Sequence, residues 1–242
     1  MLTYAMRSRP GDRDYNEDTI RMQENGATQI FLLADGLGGC GHGEMASSTA
    51  VDSVAKRFLW DDPAGENFLP DAMEGAQNAV STVKEKYPEM KKMSTTLVIL
   101  RISGGFAQWI HIGDSRLYLF RKNRVVFQTL DHSVPQMLVN MGEIRPDEIR
   151  HHPDRNRLLR TIGSAWTDQP YELSEKIPLQ KGEAFLLASD GFWEYIEEKD
   201  MCRTLAESKN VAGWIERMTT IVEENGRSAD MDNYSAVCVW LV

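Results

Sequence analysis

The strongest constraint in this chain is a near-duplicated apolar run that stops at an acidic turn signal: Phe31-Leu32-Leu33-Ala34-Asp35-Gly36 and Phe185-Leu186-Leu187-Ala188-Ser189-Asp190-Gly191. Runs like these, without polar alternation, read as strands buried on both faces. The ends of such strands are where a rigid scaffold presents functional groups. Asp18, Asp114 and Asp232 stand in similar places, in Asn16-Glu17-Asp18, Ile112-Gly113-Asp114 and Asp232-Asn233 ahead of Tyr234–Val242. Taken singly, Asp-Gly and Asp-Asn are also ordinary turn residues, and two similar hairpins would produce the same duplication.

Convergence of these aspartates would carry a chemical consequence. Four carboxylates in one site make six pairs, each repelling by about 3 kcal/mol at about 5 Å and an effective dielectric of about 20. The sum, on the order of 20 kcal/mol, exceeds the ~5–15 kcal/mol that separates a folded domain from its unfolded state. Protonation relieves part of it; divalent cations relieve it more completely near neutral pH. With no cysteine and few histidines beside these motifs, the donor set suits Mg²⁺ or Mn²⁺ rather than zinc or copper. Spacing alone does not establish the convergence.

Composition narrows the alternatives. The chain has 242 residues, 42% hydrophobic and 26% charged, with 36 acidic against 27 basic residues and a net charge of −9. No linker-like tract or internal repeat divides it, so one domain over residues 1–242 is expected. An acidic chain without a basic stripe argues against nucleic-acid or anionic-membrane binding. Cys40, Cys202 and Cys238 are scattered and form no CxxC, which fits reduced thiols. Neither a signal-peptide core near Met1 nor an 18-residue apolar span is present, so a soluble, cytoplasmic protein is expected.

Periodicity sets the element order. Strands are expected at Leu2–Arg7, Thr19–Glu24 and Gln29–Ala34, the latter two joined at Asn25-Gly26. Helical spacing follows over Gly43–Leu59 and Leu69–Tyr87. Strands then fit Thr95–Ile102, Phe106–Ile112, Ser115–Arg121 and Val125–Thr129, and a short helix Val134–Met141. Strand character returns at Glu172–Ile177 and Ala184–Ser189, helices at Lys199–Ser208 and Val211–Glu224, and a last strand at Tyr234–Val242. Adjacent strands separated from paired helices indicate an antiparallel α+β architecture rather than parallel βαβ units.

With these residues in view, the chain resembles the metal-dependent serine/threonine phosphatases of the PP2C (PPM) family in their compact bacterial form. The likeness covers essentially the whole chain. It runs in family order through Gly11-Asp12-Arg13-Asp14-Tyr15-Asn16-Glu17-Asp18, Asp35-Gly36-Leu37-Gly38-Gly39, Met93-Ser94-Thr95-Thr96 and Gly113-Asp114-Ser115-Arg116. It continues through Asp131-His132-Ser133, Asn156 to Gly163, Ala188-Ser189-Asp190-Gly191 and Asp232-Asn233-Tyr234-Ser235. The resemblance implies a four-layer sandwich: two central antiparallel β-sheets flanked by α-helices, a flap subdomain at about 142–162, and a metal site at one end.

The same resemblance implies residue roles. Asp35 would bridge two Mn²⁺ or Mg²⁺ ions, with the Gly36 carbonyl, Asp190 and Asp232 completing the protein ligands. Glu17 and Asp18 would be outer-shell carboxylates orienting water. Asp114, with Asp190, would hold a third ion; its alternative is a hairpin turn between two strands. A hydroxide bridging the ions would attack phosphorus directly, and Arg13 would hold the substrate phosphate with its planar fork. Ser115 and Arg116 are expected to be structural, and His132 a buried hydrogen-bonding residue near the sheet edge.

The chain departs from the family after Asp35, where Leu37 and Cys40 occupy places that carry histidine in other members. His42 then stands either as a substitute general acid or as a plain loop residue, and Cys40 near the cleft would make the enzyme oxidisable. The arginine- and histidine-rich stretch from Gly142 to Arg160 is either a substrate-selecting surface or a solvated loop. The expected partners are a phosphoprotein substrate and an opposing Ser/Thr kinase, of the kind that in some bacteria controls type VI secretion; a monomer is expected. Two alternatives have less support. A catalytically silent phosphatase-like binding module would lack a metal ligand, and none is missing; another two-metal hydrolase would carry an HD or HxH motif, and none is present.

Overall fold

The computed structural model describes residues 1–38, 42–166, 168–227 and 230–242. Its strands are β1 (Leu2–Arg9), β2 (Asp18–Asn25), β3 (Thr28–Leu37), β4 (Ser94–Thr95), β5 (Leu97–Ser103), β6 (Phe106–Ile112), β7 (Arg116–Arg121) and β8 (Arg124–Gln128). They continue with β9 (Glu172–Leu173), β10 (Ile177–Pro178), β11 (Ala184–Ala188) and β12 (Tyr234–Leu241). The helices are α1 (His42–Trp60), α2 (Phe68–Lys86), α3 (Val134–Met141), α4 (Asp190–Trp193), α5 (Glu198–Glu207) and α6 (Val211–Gly226).

The duplicated apolar runs form two interior strands stacked across one core. Phe31 and Leu33 of β3 share a buried cluster with Phe185 and Leu187 of β11, Leu117 and Leu119 of β7, and Val237 and Val239 of β12. Alternate residues of the same strands face outward. Ile30, Leu32 and Ala34 pack on Ala50, Val54, Phe58, Leu69 and Met73 of α1 and α2. Leu186, Ala188, Ala236 and Cys238 pack on Met201, Trp214, Met218 and Val222 of α5 and α6. Both faces of each strand are therefore covered, which is why the runs lack polar alternation. Each fully buried Leu, Val or Phe side chain contributes roughly 1.5–3 kcal/mol.

One sheet runs β1-β12-β11-β7-β8 and the other β10-β6-β5-β3-β2, with β4 on β3 and β9 on β6. Their pairings are antiparallel. Two antiparallel sheets flanked by helices are thus the observed architecture, as expected from the sequence.

Several boundaries differ from the sequence expectation. Asp35-Gly36 is not a turn: β3 continues through both to Leu37. The expected strand Thr95–Ile102 is broken at Thr96, whose backbone N–H donates to the Asp35 carbonyl (2.9 Å) while its hydroxyl accepts from the Asp35 N–H (2.9 Å). The expected strand Glu172–Ile177 is two short pieces on the edge of β6. Between them the Ser174 hydroxyl accepts from the Trp109 N–H (2.9 Å), so a side chain stands where a ladder carbonyl would be.

Candidate active site

Five aspartates separated along the chain meet at one end of the sandwich. Asp18 opens β2 and lies directly opposite Asp35 in the β2–β3 ladder. Asp114 follows Gly113 in the β6–β7 turn, and it also lines the cavity described next. Asp190 is the first residue of α4, and Asp232 precedes β12. Asp35, Asp114, Asp190 and Asp232 line a cavity of about 140 Å³, together with Glu17, Gly36, Leu37, Gly38, Asn156, Leu158 and Asn233. A larger cavity of about 750 Å³ lies between α3, the segment around Ile149 and the start of α5, but its lining mixes Arg116 and Arg150 with Glu197 and Glu198. The convergent carboxylates make the smaller one the candidate site.

Close backbone approach builds the cavity. A Cβ at Gly36 would meet the Gly43 carbonyl oxygen at 2.1 Å, so only glycine lets β3 pass the start of α1. Gly113 has φ +99°, and a Cβ there would meet the Thr96 side chain at 2.5 Å. Asn233 ties the termini of the site together: its amide donates to the carbonyls of Pro10 and Tyr15 (2.8 Å each), and its oxygen accepts from the Glu17 N–H (2.7 Å). Ser189, the residue inserted in the second apolar run, donates its hydroxyl to Asp18 Oδ2 (2.9 Å) and accepts from the Ser235 N–H (2.9 Å). Asn156, Leu158, Ser189 and Asn233 had no predicted site role. Their signal was only proximity to the motifs, since small polar residues leave no periodic trace.

Burial and mutual repulsion hold Asp18, Asp35, Asp114 and Asp190 toward their neutral forms. Burial pushes Asp35 well above the usual carboxylate range, and the charges of Asp190, Asp18 and Asp114 add to it. Asp114 is raised by burial, then by Asp190 and Asp131. Burial also raises Asp190, while hydrogen bonding with Asp35 opposes the rise. Asp18 is pushed up to about 7, again chiefly by burial. Its Oδ1 is buried without a hydrogen-bond partner. An orphaned carboxylate oxygen beside clustered oxygen donors, with no histidine or cysteine among the described residues that line the cavity, fits a hard divalent cation and its coordinated water.

The remaining predicted residues fall in three places. Glu17 lines the cavity, and its Oε1 caps α1 by accepting from the Gly43 N–H (3.1 Å). Arg13 is directed at Asp232, with Nε and Nη2 donating to its two carboxylate oxygens (3.2 and 3.3 Å) and Nη1 to Asp230 (3.1 Å). His42 heads α1 and does not line the cavity. Cys40 and its suggested oxidation lie outside the described residues. Arg116 is structural, as expected, forming a buried two-pronged pair with Asp131 (2.8 Å twice) and stacking on Trp193 at 3.4 Å.

The arginine-rich segment 142–162 is less basic than its arginines suggest. Residues 142–162 contain five arginines and four acidic residues. Arg145 pairs with Asp147, Arg157 with Asp154, Arg150 with Glu198 and Arg155 with Glu194. Most of the positive charge is answered within the chain.

The structure thus stacks two antiparallel sheets and gathers carboxylates at one end of them. The description of protein phosphatase 2C matches residues 7–234, and the chain belongs to that family. It is a domain of the PP2C type. The serine/threonine protein phosphatase PstP of Mycobacterium tuberculosis is 30% identical over 241 residues, covering 98% of this chain and 44% of PstP. The chain thus spans less than half the length of that curated relative. A crystal structure of M. tuberculosis PstP matches with TM-score 0.86 and 31% identity over 99% of this chain and 98% of that one. A PstP catalytic domain in complex with two manganese ions matches with TM-score 0.84 and 28% identity, over 100% and 98% of the two chains. PppA, described as a key regulatory component of the type VI secretion system in Pseudomonas aeruginosa, matches with TM-score 0.73 and 25% identity, over 100% and 98%. Among the described residues, no helix is long and apolar enough to cross a membrane.

Proposed function

We propose that this chain hydrolyses phosphoserine and phosphothreonine in proteins and depends on Mn²⁺ or Mg²⁺ to do so. The observation that carries this reading is the meeting of Asp35, Asp114, Asp190 and Asp232 on one small cavity. Without a cation, burial and mutual repulsion favour protonation of Asp35, Asp114 and Asp190. Asp35, Asp190, Asp232 and the Gly36 carbonyl would hold two ions, and Asp114 with Asp190 a third. Bound divalent cations supply Lewis acidity, which activates water and neutralises phosphoryl charge.

The chain's own residues supply the rest. Asp18 and Glu17 orient water through their free oxygens. The Arg13 fork, now paired with Asp232 and Asp230, binds the phosphoryl oxygens of the substrate once cations occupy the carboxylates. His42 is set aside as general acid because it does not line the cavity. The reading of residues 1–242 as one monomeric domain with a flap at 142–162 belongs to the same proposal.

An opposing Ser/Thr kinase is the proposed partner, and the likeness to PppA makes type VI secretion the first setting to examine. Phosphate release from a phosphothreonine peptide, measured with Mn²⁺ and with chelator, tests the activity. Turnover that survives chelation overturns it. A phosphoproteome unchanged by loss of the protein overturns the signalling role alone.

A further inference from the structure

Two stacked histidines lie behind the candidate active site, at the edge of the β6 sheet. His111 and His132 are almost completely buried, with ring centroids 4.9 Å apart and planes inclined by 12°. His111 Nδ1 and His132 Nε2 have no hydrogen-bond partner, and the exposed Glu172 carboxylate lies 3.7 Å from the latter. Three ligand-type atoms this close invite a reading as a second metal site.

Hydrogen-bond directions argue against that reading. His111 Nε2 lies 2.9 Å from the Leu130 carbonyl, which only accepts, so the proton is on Nε2. His132 Nδ1 accepts from the Gly113 N–H at 3.1 Å, so in the neutral ring the proton is on its Nε2. A protonated nitrogen cannot coordinate a cation. Nearly parallel rings also cannot both place one ion in their planes.

The same contacts lead directly to Asp114. His132 grips the residue before it at both ends: Nδ1 takes the Gly113 N–H, and the His132 N–H donates to the Gly113 carbonyl (2.9 Å). From the other side Trp193 Nε1 donates to the Asp114 carbonyl (3.0 Å). The His132 carbonyl accepts from the Leu159 N–H (2.8 Å), next to Leu158 in the cavity wall. Resting on the proposed role of that cavity, we propose that Glu172 and His132 form a positioning pair for Asp114. Glu172 favours the tautomer with hydrogen on Nε2, and the lone pair left on Nδ1 fixes the Gly113–Asp114 turn. A carboxylate selecting the tautomer of a histidine, which then orients a ligand residue, is a known type of outer-shell support.

Three measurements on the full chain test this. In ¹⁵N spectra of the metal-free protein, His132 is expected to carry its proton on Nε2, and in Glu172→Leu that proton is expected to exchange faster with water. His132→Phe is expected to lower Mn²⁺-dependent kcat/KM, or Mn²⁺ affinity by calorimetry, about 10- to 100-fold. His132→Asn, whose amide oxygen stands near the place of Nδ1, is expected to recover most of that loss at an unchanged Tm. A proton on Nδ1, equal losses in the two variants, or one equivalent of Zn²⁺ bound through Glu172 overturns the inference. Absence of any phosphatase activity would fault the proposed function instead, while the tautomer and calorimetric results would still decide this one.

Discussion

Asp18 and Asp35 stand directly opposite each other across the β2–β3 ladder, a buried and a half-buried acid on neighbouring strands. Like charges in that relation destabilise a sheet unless a proton or a cation intervenes. Asp18 is pushed up to about 7, above the unfolded value of about 3.9. A group raised in this way contributes stability that is fully present below the unfolded pKa and is lost as pH rises through the folded one. The metal-free protein is therefore expected to lose stability between about pH 4 and pH 7 through this residue. In chelator, the difference in Tm between pH 5 and pH 7.5 should move toward higher stability at pH 7.5 in Asp18→Asn. An unchanged difference would contradict the assignment.

Asp35→Asn and Asp190→Asn should separate function from stability. Each removes a proposed ligand, so turnover with Mn²⁺ is expected to fall by about three orders of magnitude or more, the loss of several kcal/mol of charge stabilisation. Each also removes one member of a repelling cluster. Unfolding in chelator is expected to need more urea for the variants than for the wild type, by about 1–3 kcal/mol. Variants that are inactive but less stable in chelator would mean that the cluster is not a site of stored repulsion.

Arg13→Ala is expected to weaken inhibition by inorganic phosphate about tenfold, while Mn²⁺ activation shifts much less. Arg13→Lys should behave like alanine, because an ammonium does not reproduce the two-pronged contact that the guanidinium makes with Asp232. Equal losses in phosphate and metal affinity would indicate that Arg13 serves only to orient Asp232.

Some of this site is readable without coordinates, and physical reasons separate the readable part from the rest. Asp35 and Asp190 stand out because each ends a run buried on both faces, and burial leaves an unbroken apolar signature. The sandwich and the convergence came from resemblance to a family, because periodicity reports which face is buried and not which strand ends meet. Thr96, Ser189 and Asn233 act through hydrogen bonds to residues 61, 171 and 216 positions away. Nothing in a local window marks such partners. Segment 142–162 shows the limit of local charge counting: its arginines look like a basic surface until Glu194 and Glu198, from a later part of the chain, pair with Arg155 and Arg150.

Gly36→Ala tests whether backbone approach, rather than side-chain chemistry alone, makes the cavity. Its methyl group would fall 2.1 Å from the Gly43 carbonyl oxygen and 2.7 Å from that of Glu17, both backbone atoms that cannot move independently. The strand or α1 must shift, at a cost of about 3 kcal/mol or more. A fall in Tm with a loss of Mn²⁺ affinity is expected; a variant with wild-type Tm would show that the approach is looser than described.

The last prediction concerns the support beneath Asp190. Arg116 and Asp131 are about 95% buried, joined by two 2.8 Å hydrogen bonds, and the guanidinium lies on the face of Trp193, three residues after Asp190. A buried pair of this kind adds little net stability over an apolar substitute, but removing one partner leaves an uncompensated charge. Asp131→Ala is therefore expected to cost about 3–5 kcal/mol by urea unfolding. Asp131→Leu combined with Arg116→Met should recover most of that loss. Recovery of stability without recovery of activity would mean that the ion pair is kept for the orientation of Trp193 and Asp190; recovery of both would reduce it to packing. The assigned indole N–H signal of Trp193 in ¹⁵N spectra of each variant distinguishes a displaced ring from a retained one.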